Sequence, residues 1–338
     1  MEVKNHGERS AALPTVTVRE SWRDVWFCFR KPVVLEISAK AMTMEGQDLL
    51  YWQLSAVQER APTWFLPRWL DRGHLVLTYR SGTEECHWSF VLPSDIRAQA
   101  HKATLQRAHR ELARALDAAD QALVPLRIDA EGTYRSDRYV RHSQAERITL
   151  NHSETIRKMV PVLAALHQHP LLPRSNMEQA RSLKEELDSL ARFVLEPEAS
   201  RGEHNERYLA HQCLSEAAYF NAVESSPLTA EQIAAALVFE DATLVVAAAG
   251  SGKSSCIVGK IGFALKSGMF KDHEILALAY NKEAAKSLET RLSQKLSKAV
   301  GRKVSVASKT FHSFGLSTLV QARGEGVRPR VLKEGAGE

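Results

Sequence analysis

Apolar and polar positions change their spacing along the chain, and the changes divide it. Near the N-terminus the apolar residues fall in short β-rich runs, Val25–Phe29 and Val33–Ile37. Two more runs, 73–79 and 86–92, flank Ser81-Gly82-Thr83, which predicts a hairpin. At Pro93-Ser94 the spacing becomes helical. Ile96, Ala100, Ala103, Ala108, Leu112, Ala115, Ala119 and Leu123 mark one face of a long amphipathic helix, which Pro125 is expected to end. The polar, basic stretch 129–142 reads as a linker or exposed loop. From 153 to 220 three helical stripes follow: Ile156 to Leu166, Leu183 to Val194, and Leu209, Cys213, Leu214 and Ala217. Pro170, Pro173 and Pro197 punctuate them.

The pattern is most informative after Ser225. A helix with Ile233, Ala236 and Leu237 leads to an apolar strand at 244–246, and a helical pattern resumes at Cys256-Ile257-Val258. Between them lies Ala247-Ala248-Ala249-Gly250-Ser251-Gly252-Lys253-Ser254-Ser255. Small residues let backbone N–H groups close around a triphosphate, and the start of the next helix adds a positive dipole end. This is a phosphate-binding loop. Lys253 is its candidate catalytic residue, reaching the β- and γ-phosphates, and Ser254 is the candidate Mg²⁺ ligand.

Composition changes the picture little. A chain of 338 residues suggests two or three domains. The net charge of +5 permits nucleic-acid binding without demonstrating it. Local charge is more telling: between Asn281 and Lys309 eight Lys/Arg stand against Glu283 and Glu289. Cys28, Cys86, Cys213 and Cys256 are scattered and read as reduced thiols, and neither they nor the histidines have metal-ligand spacing. No apolar run is long enough to span a membrane and the N-terminus is polar, so a cytoplasmic protein is expected. All six tryptophans lie between 22 and 88, where core packing is favoured over a base-stacking platform. Arg97, Lys102, Arg107, Arg110 and Arg114 read as a solvated helix face, the alternative being a phosphate-tracking one.

Residues 225–320 resemble the N-terminal motor segment of the UvrD/Rep class of superfamily 1 DNA helicases. Leu228-Thr229-Ala230-Glu231-Gln232 is similar to the Q motif, and the resemblance implies that Gln232 reads adenine. Ala247 to Ser254 is similar to the Walker A loop, with Ala248 where a glycine is usual. Ile275 to Ala285 is similar to motif Ia, with Tyr280 where Phe is usual and Lys282-Glu283 in place of Asn-Lys; Thr310-Phe311-His312-Ser313-Phe314 is similar to motif Ib. These imply ATP and Mg²⁺ as cofactors. They also imply single-stranded DNA at Tyr280, Asn281, Lys282, Thr310, Phe311 and His312. The expected fold is multidomain, α+β and α/β. A polar lead-in (1–20) precedes a Trp-rich antiparallel β module closed by a helix (21–124), whose pattern resembles the pleckstrin-homology-like arrangement. A helical connector (125–224), an incomplete RecA-like P-loop α/β domain (225–320) and a Gly-rich tail (321–338) follow.

Hydrolysis in such enzymes also needs an apolar strand ending in Asp-Glu, and arginines from a second motor domain. No apolar-Asp-Glu pair follows the loop in this sequence. The expectation is a 3′-to-5′ helicase seen through its N-terminal portion: a truncated chain, a fragment, or half of a split enzyme whose second polypeptide supplies the rest. The alternatives are a non-catalytic, ATP-dependent DNA-binding or adaptor protein, and a structural P-loop protein unrelated to DNA.

Overall fold

A computed structural model describes residues 16–20, 33–38, 41–60, 72–81, 83–135, 137–248 and 250–323. The expected strand at 25–29, Trp22, Trp26, Trp64, Trp69, Cys28, Gly82, Ala249 and the tail from 324 lie outside them. The chain divides into two compact units: Met1–Ala130 with Thr149–Leu195, and Glu131–Ile148 with Glu196–Glu338. The helical residues between 125 and 224 are thus shared between the two.

The first unit is built on two antiparallel sheets. Strands β1 (Val16–Arg19), β2 (Val34–Ile37), β3 (Ala41–Met44) and β4 (Gln47–Leu50) form one, in that order; β5 (Leu54–Arg60), β6 (Arg72–Ser81) and β7 (Glu84–Pro93) form the other. The predicted hairpin is β6–β7, with Leu75 opposite Phe90 and Leu77 opposite Trp88. All four are buried in one core with Leu35, Ile37, Met42 and Tyr51. Trp88 packs edge-on against Tyr79, with ring centroids 5.5 Å apart, as core packing requires. Trp52, by contrast, is exposed. β1 lies within the expected polar lead-in (1–20) and gives its last residues a place in a sheet. Residues 16–19 pair along β2, with Val18 buried.

Helix α1 (Ser94–Tyr134) starts where the pattern changes but does not end at Pro125. Leu123 and Leu126 flank the proline and are both fully buried. Burying each side chain contributes about 1.5–3 kcal/mol, enough to offset the ~3 kcal/mol that an interior proline costs. The first part of the expected linker at 129–142 thus belongs to this helix, up to Tyr134. Arg107 is also buried rather than on a solvated face. In the same unit Arg127 on α1 donates to both Asp120 and Glu186, the latter on helix α3 (Arg174–Leu195), whose stripe Leu183, Leu187, Leu190, Ala191 and Val194 is buried as the pattern predicts. Helix α2 (His142–His167) precedes α3.

The second unit contains α4 (Pro197–Ser215), α5 (Ala217–Ala222), α6 (Ala230–Leu237), α7 (Lys253–Lys266), β8 (Leu276–Ala279), α8 (Lys282–Arg291), a π-helical turn at Leu292–Leu296, α9 (Ser297–Val300), β9 (Ala307–Thr310) and α10 (Phe311–Arg323). Its core gathers Phe220, Val223, Leu228, Leu237, Val258, Phe263, Leu292 and Leu296, with Phe220 stacked on Phe263. Leu214, expected in a stripe, is exposed, while Tyr208, Tyr219, Phe220 and Val223 are buried. The predicted strand at 244–246 is not formed. Leu244 and Val246 are exposed, and the segment is unpaired among the described residues, so β propensity finds no neighbour to satisfy it.

Candidate nucleotide and nucleic-acid site

Helix α6 begins with a reciprocal cap. Thr229 accepts a hydrogen bond from the Gln232 backbone N–H, and Gln232 Oε1 accepts one from the Thr229 backbone N–H at 2.9 Å. The other end of the amide reaches the phosphate loop, Nε2 donating to the Ser251 carbonyl at 2.9 Å. The loop turns on two glycines in left-handed conformation, Gly250 at φ 79° and Gly252 at φ 86°. Gly252 is also the N-cap of α7, and it supplies no side-chain acceptor to the first turn. N–H groups at such a helix start are available to an anion. A Cβ at position 252 would lie 2.5 Å from Gln232 Nε2, so only glycine allows this approach.

Lys253 is the first residue of α7. Its Nζ donates to the carbonyls of Ala247 and Ala248, each at 2.7 Å. The ammonium therefore lies over the turn that a phosphate would fill. Ser254 follows it, exposed, on the same helical turn. A cavity of about 290 Å³ adjoins, lined by Ala235, Thr243, Val245, Lys253, Cys256, Ile257 and Lys260. The second lysine in that lining is already committed: Lys260 Nζ donates to Ala235 and Val238 carbonyls at the end of α6 and sits 4.7 Å from the Phe239 ring. Burial pushes its pKa below the usual lysine value, and burial pushes the Cys256 thiol up. A left-handed glycine turn, an uncapped helix start, one mobile-stemmed cation and one exposed hydroxyl form a donor set that fits a magnesium-bound polyphosphate.

β8 and β9 are parallel, in the register Leu276 with Ala307 through Ala279 with Thr310. Both strands consequently end at one edge, where open α/β sheets bind ligands. Tyr280 follows β8 and is 90% exposed. Asn281 caps α8, its Oδ1 accepting from the Ala284 N–H at 2.8 Å. Thr310 caps α10, accepting from the Ser313 N–H. Tyr280, Asn281, Lys282, Glu283, Thr310 and His312 line one cavity of about 320 Å³. Five of the six residues expected to meet DNA are thus together. Phe311 is exposed at the start of α10 but is not part of that lining.

The basic stretch is less free than its composition implies. Arg291 and Lys295 pair with Glu224, Arg302 pairs with Asp272, and Lys309 Nζ donates to Ser317. Lys282, Lys286, Lys298 and Lys303 are exposed. Glu224 carried no signal of its own. The four-residue spacing of Arg291 and Lys295, which puts two cations on one helix face, was the available hint. Among the described residues Cys86, Cys213 and Cys256 are free, no cluster of side chains has metal-ligand geometry, and no helix is long and apolar enough to cross a membrane.

Residues 228–328, which contain both the glycine loop and the strand-end cavity, match the family of the UvrD/REP helicase N-terminal domain. The resemblance carried by the four motifs is thereby shown over those residues. Among individual proteins, DNA helicase IV of Escherichia coli (strain K12) is 31% identical over 150 residues, covering 44% of this chain and 21% of that protein. The ATP-dependent DNA helicase Rep of Buchnera aphidicola subsp. Schizaphis graminum is 33% identical over 76 residues, 22% of this chain and 11% of the relative. The matched region spans about a fifth of the first relative's length and about a tenth of the second's.

Proposed function

We propose that this chain carries the ATP-binding loop and part of the single-stranded-DNA surface of a UvrD/Rep-type 3′-to-5′ DNA helicase, which couples ATP hydrolysis to movement along one strand. The observation that supports this most is the parallel pairing of β8 and β9, which gathers Tyr280, Asn281 and Lys282 beside Thr310 and His312. Loop N–H groups and Lys253 bind the phosphates. Ser254 holds Mg²⁺, which when bound screens phosphate charge. Gln232 retains one N–H and one lone pair beyond the bonds it makes, enough for an adenine edge. The Tyr280 ring offers a face on which a base stacks. In this reading residues 225–320 are part of a RecA-like domain, the two sheets and α1 are a pleckstrin-homology-like module, and the setting is cytoplasmic.

The test uses the purified chain, with binding of a fluorescent ATP analogue and ATP turnover measured with and without single-stranded oligonucleotide. Turnover that DNA stimulates and Lys253→Ala abolishes supports the motor reading. Binding of both ligands without turnover fits the site reading and the adaptor reading alike, since no apolar-Asp-Glu pair follows the loop in this sequence. Binding of neither sinks both.

A further inference from the structure

Glu224 lies just upstream of the α6 cap, with a side chain only 5% exposed. Arg291 Nη2 donates to its Oε1 at 2.6 Å, and Lys295 Nζ donates to its Oε2. The same Nη2 donates to Ser255 Oγ at 2.9 Å. Burial opposes the charge on Glu224, yet Lys295 and Arg291 together hold its pKa below the ordinary carboxylate value. One guanidinium nitrogen therefore joins an anchored carboxylate to the first turn of α7, two residues beyond Lys253. Arg291 is the last residue of α8, whose N-cap is Asn281 and whose entry is Tyr280. A ten-residue helix is a rigid rod of about 15 Å. Its two ends thus touch the phosphate-loop helix and the strand-end cavity.

We propose that Arg291 is a positioning residue that couples nucleotide occupancy of the 247–255 loop to single-stranded-DNA affinity at Tyr280–Lys282. The inference rests on the proposed function. Any shift of α7 as the loop closes on phosphate moves Ser255, and Arg291 passes the shift to α8, with Glu224 as the fixed point. A lysine at 291 keeps a cation beside Glu224, but as a compact charge on a flexible stem it lacks the rigid planar fork that fixes the direction of both bonds.

The experiment measures the affinity of the full chain for a fluorescein-labelled oligo-dT by anisotropy, with and without Mg²⁺ and a non-hydrolysable ATP analogue. In the wild-type chain the analogue changes DNA affinity about fivefold or more, the lower range of allosteric coupling. In Arg291→Lys each ligand alone binds within about twofold of wild type, while the coupling falls below about twofold. Arg291→Ala gives the same loss if it folds; if its melt shows that it does not, Arg291→Lys carries the test. Coupling that survives in Arg291→Lys, or a wild-type chain that binds both ligands without coupling, overturns the relay and leaves the site reading standing. A wild-type chain that binds neither ligand overturns the site reading, and the relay with it.

Discussion

The side-chain amide of Gln232 donates to the carbonyl of Ser251, nineteen residues away, while its oxygen closes the cap of α6. One residue therefore holds a helix start and the phosphate loop. Two substitutions separate the roles. Gln232→Ala loses both contacts: melting temperature falls, and affinity for an ATP analogue drops by about tenfold, or ~1.4 kcal/mol. Gln232→Glu keeps an acceptor for Thr229 but faces the Ser251 carbonyl with a second oxygen. It retains the melting temperature and loses affinity. Thermal melts and analogue titration distinguish the two.

Tyr280 is nearly fully exposed, so removing its ring costs the fold little. Tyr280→Ala is expected to weaken single-stranded DNA binding by about 1–3 kcal/mol, the contribution of one stacked base. The melting temperature and the salt dependence stay unchanged. Lys282→Ala has the complementary signature, reducing the slope of log K against log salt by about one contact's worth. Anisotropy titrations over a salt series read both.

Asp272 accepts two hydrogen bonds from Arg302 and one from the Ser305 backbone. The Arg302 hydrogen bonds, then the Ser305 N–H, lower its pKa from 3.8 to about 2. A carboxylate depressed in the folded state stabilises above its unfolded pKa, and that contribution is lost as pH falls through the folded value. Asp272→Asn is therefore expected to melt below wild type at pH 5 and above. The gap closes as pH is lowered from about 4 towards 2. A gap independent of pH would refute the assignment.

Gly262 lets Tyr219 pass close to α7, where the phenol donates to the Gly259 carbonyl at 3.0 Å. A Cβ at 262 would meet the Tyr219 hydroxyl at 2.1 Å and Leu296 Cδ2 at 2.5 Å. Gly262→Ala is expected to destabilise by about 1–3 kcal/mol through overpacking, measured by denaturant unfolding.

The parts of the fold that read correctly were those fixed by local pattern. Leu75, Leu77, Phe90 and Leu92 face one core because a hairpin register is set by its own turn, and α1 begins where the spacing changes. Gln232, Lys253, Tyr280 and Thr310 stand in contiguous motifs, and the structure brings Gln232 to the Ser251 carbonyl and Tyr280 beside Thr310. What failed depended on distant neighbours. Pro125 was overruled by the burial of Leu123 and Leu126. Arg107 is buried on a helix that looked solvated. Glu224 draws its meaning from Arg291 and Lys295, about seventy residues downstream.

The exposed run Leu244-Val245-Val246-Ala247-Ala248 is uncharged, lacks proline and joins no sheet among the described residues. Short segments of this kind add strand to strand with copies of themselves. The colloidal behaviour of the chain follows from it: light scattering should grow with protein concentration and time. A single gatekeeper charge, Val246→Lys, should suppress that growth while leaving the melting temperature in place.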